Sequence, residues 1–187
     1  MNARHSSVQP NWETPEEYIE LCRKALGGEI SLDPFSCRSG NARIKATEYF
    51  GPDHDEEAKR DGFTNPWYGA GVFVNHPGRT TKRAWRKMVT EYATANFERG
   101  IWVGFSIEQI CVLADVPIKP SDFSICFLRK RVPFIDPDKP DRPSRPAHAN
   151  FIIGMGIPKS EFEAAFKGYG AFTHGYMSKE SYRTVSK

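Results

Sequence analysis

Apolar positions along the chain change their spacing several times, and each change marks a new element. Tyr18, Leu21, Cys22, Ala25 and Leu26 recur at intervals of three and four, which predicts a helix over residues 14–26. Thr14 is placed to cap it, Pro15 suits its first position, and Glu17 would complete a capping box. Gly27 and Gly28 end it. Residues 29–33 read as a strand that finishes on an acid, Asp33, followed by a loop of small residues over 34–41. Residues 42–62 are polar and poorly periodic. Val72, Phe73 and Val74, after Gly71, form a short buried strand. Asn75, His76, Pro77 and Gly78 stop it, because Pro77 cannot donate to a ladder and Gly78 permits positive φ. Trp85, Met88, Val89 and Tyr92 then lay an apolar stripe along a helix from Arg79 to about Phe97.

Further strands are expected at 101–105, 123–128 and 149–155. A short helix opened by Ser106 and Gln109 runs to about Leu113, and a last helix from Pro158 turns Phe162, Ala165 and Phe166 inward. Alternating strands and helices imply an α/β fold with a mixed or parallel sheet. Several strands lack the long apolar run of a strand buried on both faces, so the later ones are expected to be antiparallel. The proline-rich stretch 136–146 reads as a loop or edge hairpin. Residues 1–11 are expected to be a tail, 12–168 one domain, and 169–187 a polar tail that frays.

Composition narrows the function classes. The 187 residues suffice for one domain with a sizeable core, and 39% hydrophobic with 26% charged residues is a globular balance. No apolar run approaches the ~20 residues that span a bilayer, and the N-terminal residues carry no apolar signal segment, so a cytoplasmic location is expected. The four cysteines form no C-x-x-C pair and read as buried free thiols, with no metal site. Asp53, His54, Asp55, Glu56 and Glu57 read as an exposed loop, since adjacent residues do not converge on one ion. A net charge of +3 permits a polyanionic partner without requiring one. Arg79, Lys82, Arg83, Arg86 and Lys87 fall on one helical stripe, which is either a solvated face or a surface that tracks phosphates.

Three stretches, in this order, resemble the phage-type DNA N-6-adenine methyltransferases, a compact Dam-like family. The first is Trp12, Glu13, Thr14 and Pro15 before a helix, then Leu32 and Asp33. The second is Trp67 ahead of Val72–Asn75, with Trp85, Arg86 and Lys87 in the following helix. The third is Arg131, Val132, Pro133 and Phe134, a proline-rich gap, and an apolar strand near 149–153. The likeness covers residues 12–156. It implies a compact Rossmann-like methyltransferase fold, a mixed sheet with flanking helices, S-adenosylmethionine as methyl donor, and double-stranded DNA as partner through the basic helix face. It also implies a phage or prophage origin in a bacterial host. Thr14, Pro15, Asp33, Pro34 and Phe35 would then lie near the cofactor. The run from Asp33 to Gly40 is similar to the Asp-Pro-Phe-x-Gly-Ser-Gly loop of amino-methyltransferases, with Arg38 in place of a glycine.

The family's catalytic run is Asn-Pro-Pro-Tyr, and this chain has Asn75, His76, Pro77 and Gly78. Methyl transfer from a sulfonium needs positioning and charge stabilisation. Asn75 keeps the acceptor for the target amine. His76 keeps a carbonyl but loses the rigidity of proline, and a protonated imidazole there would oppose the developing positive charge. Gly78 lacks the ring that would stack on an extruded base. Trp67, Tyr68 and Trp85 are candidates for that role. Three functions stay open: an active adenine methyltransferase, an inactive relative that binds cofactor or DNA, and a different reaction with His76 as acid or base.

Overall fold

The structure, a computed structural model, describes residues 12–114, 123–136 and 148–174. Its elements in chain order are α1 (Glu16–Ala25), β1 (Leu32–Asp33), α2 (Arg38–Ile44), β2 (Glu48–Tyr49), β3 (Gly69–Val74), α3 (Thr81–Ala93), β4 (Phe97–Gly104), α4 (Gln109–Ala114), β5 (Ser124–Leu128), β6 (Phe151–Met155), α5 (Lys159–Ala165) and β7 (Gly170–His174). The seven strands form one sheet in the order β2-β1-β3-β4-β6-β5-β7. The first four are mutually parallel, while β6 is antiparallel to β4 and β5, and β7 is antiparallel to β5. The expectation of α/β architecture with antiparallel late strands therefore holds at that level.

Alternation along the strands divides the core into two layers. Phe73, Ile101, Val103, Cys126, Leu128 and Ile152 face one cluster with α1 and α5. Val72, Val74, Trp102, Ile125, Ile153 and Met155 face the other, under α3. Trp67, Trp85 and Trp102 are fully buried in that second cluster. No helix among the described residues is long and apolar enough to cross a membrane.

Several element boundaries differ from expectation, each for a local reason. Helix α1 begins at Glu16, and Thr14 does not cap it. The Thr14 hydroxyl instead accepts from Asn75 Nδ2 at 3.1 Å, and Glu17 accepts from the Tyr169 hydroxyl at 2.8 Å. The ladder of the first strand is short, although Ser31 N–H to Gly71 O (2.8 Å) and Thr47 N–H to Ile30 O (2.9 Å) extend it by backbone bonds. The small-residue loop is half helix: Cys37 caps α2, its sulfur accepting the Gly40 N–H at 3.3 Å.

The helix expected to reach Phe97 ends at Ala93. Ala95 takes a left-handed turn (φ 58°), and the buried Glu91 carboxylate accepts from Asn96 Nδ2 at 2.5 Å, so Phe97 is free to begin β4. Beyond Gly168, where fraying was expected, residues 170–174 form edge strand β7. Its alternating half-buried and exposed positions suit an edge with one wet side. The stretches 1–11 and 137–147 and the end of the chain from 175 lie outside the described residues.

Candidate functional site

The sheet reverses its winding between β1 and β3. From β1 the chain passes through α2 to β2 on one side, and from β3 through α3 to β4 on the other. In parallel α/β sheets the crevice outside the carboxyl ends of such a strand pair is where ligands bind. Here Asp33 ends β1 and Asn75 directly follows β3. Both border one cleft of about 360 Å³, together with Pro34, Phe35 and Pro77.

Asp33 is 1% exposed. Its Oδ1 accepts the Phe35 N–H at 3.0 Å, and its Oδ2 is buried with no partner. Burial raises the carboxyl to about 7 from its ordinary 3.8; the Phe35 N–H and the nearby Ser36 hydroxyl, whose own hydrogen bond goes to the Cys37 carbonyl at 3.5 Å and not to Oδ2, offset only part of that rise. Asn75 is oriented by the N-terminal segment. Its Nδ2 donates to the Trp12 carbonyl at 3.0 Å and to Thr14 Oγ1 at 3.1 Å. A carbonyl only accepts, so the amide nitrogen must face it, and Oδ1 is left buried without a partner. Two acceptor oxygens from adjacent strands thus stand unsatisfied beside one cleft. Buried acceptors without donors are costly, by about 1–3 kcal/mol each, and a ligand bearing N–H or O–H groups would relieve them.

The walls are held by close backbone approach. A Cβ on Gly51 would lie 1.9 Å from the Ser36 carbonyl oxygen, and one on Gly62 would lie 1.8 Å from that of Pro34. Only glycine lets the 51 and 62 loops press on the Asp33–Cys37 turn. Phe35 and Phe63 give the cleft an aromatic side, their centroids 4.7 Å apart, and Trp67 braces Phe35 from behind at 5.6 Å.

Sequence reasoning missed Phe63, Arg60 and Cys37, which also border the cleft. The only signal for the first was the glycine-aromatic pair Gly62 and Phe63, set in a segment without periodicity. Nor are the cysteines all buried: Cys22 and Cys126 are, whereas Cys37 is half-buried and Cys111 exposed.

The proposed stacking rings are elsewhere. Trp67 and Trp85 are fully buried; Tyr68, 43% exposed, does not itself line the cleft but packs edge-on against Phe50, which does. His76 also departs from expectation. Its ring is 1% exposed, does not line the cleft, and stacks on Phe105 with centroids 5.2 Å apart and planes 10° apart. Burial lowers its pKa to about 3, so it is neutral across the physiological range and brings no cation to the bend. Pro15 precedes α1 and borders no part of the cleft; Thr14 reaches it only through Asn75.

The basic stripe is partly dismantled. Arg79 sits in a 3-10 turn before α3, and Lys87 pairs with Glu91 at 2.6 Å. Lys82, Arg83 and Arg86 are exposed on α3, with the Arg83 guanidinium 3.8 Å from the centroid of the Phe63 ring. That contact carries the positive face up to the cleft's aromatic wall. Comparison of the chain with known protein families, curated proteins and solved structures returned no match.

Proposed function

We propose that this chain is an S-adenosylmethionine-dependent methyltransferase of the compact, phage-type DNA adenine N-6 class, with a Rossmann-like fold. The observation that carries the reading is the pair of unsatisfied acceptors, Asp33 Oδ2 and Asn75 Oδ1, beside one cleft at the switch point of the sheet. S-adenosylmethionine would supply an electrophilic methyl on a sulfonium. Asp33 would accept from its ammonium or ribose hydroxyls, with Pro34 and Phe35 shaping the wall beside it. Asn75 Oδ1 would accept an N–H of the target amine as that nitrogen gains positive charge. Pro77 borders the same cleft and limits the bend's freedom. The neutrality of His76 removes the repulsion that a cation there would impose. Arg79, Lys82, Arg83 and Arg86 would approach the phosphates of double-stranded DNA.

The second reading is an inactive homologue that binds cofactor or DNA as a regulatory module. It rests on Gly78, which is exposed and offers no ring for an extruded base. Two measurements separate the readings. Calorimetry of S-adenosylmethionine with the wild type and Asp33→Asn tests the cofactor site; equal heats from both, or none from the wild type, would refute it. Transfer of labelled methyl to unmodified DNA, abolished by Asn75→Ala, selects the enzyme. Cofactor binding without transfer selects the module.

A further inference from the structure

The Asn75–Gly78 bend carries two opposed side chains. Asn75 serves the cleft, while the ring of His76 enters the core behind it. Nε2 of His76 lies 2.8 Å from Thr81 Oγ1 at the start of α3. That hydroxyl also accepts from Gln109 Nε2 at 3.1 Å and donates to the Gly78 carbonyl at 3.2 Å. Gln109 Oε1 accepts the Phe105 N–H at 3.0 Å, and the Phe105 ring stacks on His76, which closes the circuit. Trp102 covers the remaining side of the imidazole at a centroid distance of 4.2 Å. Four elements meet in this ring: the bend after β3, the start of α3, the end of β4 and the start of α4.

The protons can be counted. The Phe105 N–H fixes the Gln109 amide, so its Nε2 donates to Thr81. The Thr81 hydroxyl has a single proton, and the Gly78 carbonyl can only accept it. All three contacts coexist only if His76 donates from Nε2. Nδ1 is buried with no acceptor for a second proton, which favours the neutral Nε2–H tautomer.

We infer that His76, Thr81 and Gln109 are positioning residues which clamp the bend from behind and so set where Asn75 Oδ1 stands. The ring does by hydrogen bonding and stacking what a second proline would do by covalent rigidity. The bend needs this because Gly78 is exposed and no side chain packs there: a Cβ at 78 would meet nothing within 4 Å, and its carbonyl is tied to the ring only through the Thr81 hydroxyl. The role in transfer rests on the methyltransferase reading; the clamp itself does not.

The test has two arms. In the first, nitrogen-15 NMR of the full chain reads the His76 ring and the Asn75 side-chain amide without any ligand. The expected result is a single Nε2–H tautomer that persists as the pH is lowered to about 5. Thr81→Val should shift the Asn75 amide signal, and Thr81→Ser should restore it. An imidazole that titrates in the ordinary range, or an Asn75 signal indifferent to Thr81→Val, would overturn the clamp. In the second arm, Thr81→Val should lower kcat for methyl transfer by about 10–100-fold, since small misplacements of a reacting group have effects of that order. The S-adenosylmethionine Kd should stay within about twofold, because Asp33 is on the other strand. Equal loss of kcat, affinity and thermal stability would reduce Thr81 to a structural residue and refute the positioning role. If the first arm holds and the wild type binds no S-adenosylmethionine, the clamp stands and the methyltransferase reading fails.

Discussion

Removing the charge of Asp33 should strengthen the fold while it weakens the site, and the pH dependence of that exchange can be worked from two buried groups. Asp33 titrates near 7 in the folded chain against 3.8 when free, so the folded state holds a proton over that interval which the unfolded state has lost. Its contribution is fully present below about pH 4 and is lost as the pH rises through 7, a total of roughly 4 kcal/mol at 1.36 kcal/mol per unit. His76 does the opposite. It titrates near 3 when folded against 6.5 when free, so the stability it allows is present above 6.5 and is lost as the pH falls towards 3. Between about pH 4 and 6.5 the two slopes are equal and opposite, and their sum is flat.

Asp33→Asn removes one slope and exposes the other. The variant's amide can keep the bond from the Phe35 N–H and present its NH2 group in place of the orphaned oxygen. At about pH 8 it should be more stable than the wild type by up to roughly 4 kcal/mol. The gap should stay level down to about pH 7, then close by about 1.4 kcal/mol for each further unit of acidification and vanish near pH 4. Urea unfolding followed by tryptophan fluorescence suits the measurement, since Trp67, Trp85 and Trp102 are all fully buried. Every other titrating group is shared by the two proteins and cancels in the difference. A gap that is absent at high pH, or that does not change with pH, would mean that Asp33 is not held as an unsatisfied buried carboxyl.

Three further outcomes follow from the same geometry. S-adenosylmethionine should bind with a proton lost from Asp33, so its affinity should drop by about tenfold per unit below pH 7, and calorimetry in buffers of different ionisation heat should register that proton; a pH-independent affinity would sever the ligand from Asp33. Gly62→Ala places a Cβ 1.8 Å from the Pro34 carbonyl oxygen, so the Asp33–Cys37 turn must move. It should cost about 1–3 kcal/mol in unfolding experiments and abolish cofactor binding, whereas intact binding would show that the turn is dispensable. Charge reversal at Arg83 and Arg86 should weaken DNA affinity and reduce the slope of log affinity against log salt by about one for each phosphate that the helix no longer neutralises; an unchanged slope would return α3 to a merely solvated face.

What the sequence disclosed and what it withheld divide along a physical line. Periodicity exposed α1, β3, β4, β5, β6 and α5 because each has an apolar face wide enough to be repeated. Helix α2 and strand β2 escaped because a seven-residue helix capped by a thiol and a two-residue edge strand leave too few repeats to register. Asp33 and Asn75 were legible because an acid or amide at a strand's end is a departure from the strand's own pattern. Their convergence was implied by the family resemblance but not legible in the residue pattern itself, since it depends on the winding reversal that sets β1 beside β3. Thr14 shows the ambiguity most sharply. A threonine before Pro15 and two glutamates satisfies every local rule for a cap, yet its oxygen is engaged by Asn75, 61 positions away. Local rules rank the partners near in sequence, and folding decides among all the donors within reach. His76 carries the same lesson in the other direction. By type and position it read as an acid, a base or an unwelcome cation, all of which require water or substrate at the ring. Burial between Trp102 and Phe105 removes both. A histidine in a catalytic-looking bend is then a neutral donor, and its value to the site is the angle at which it holds its neighbour.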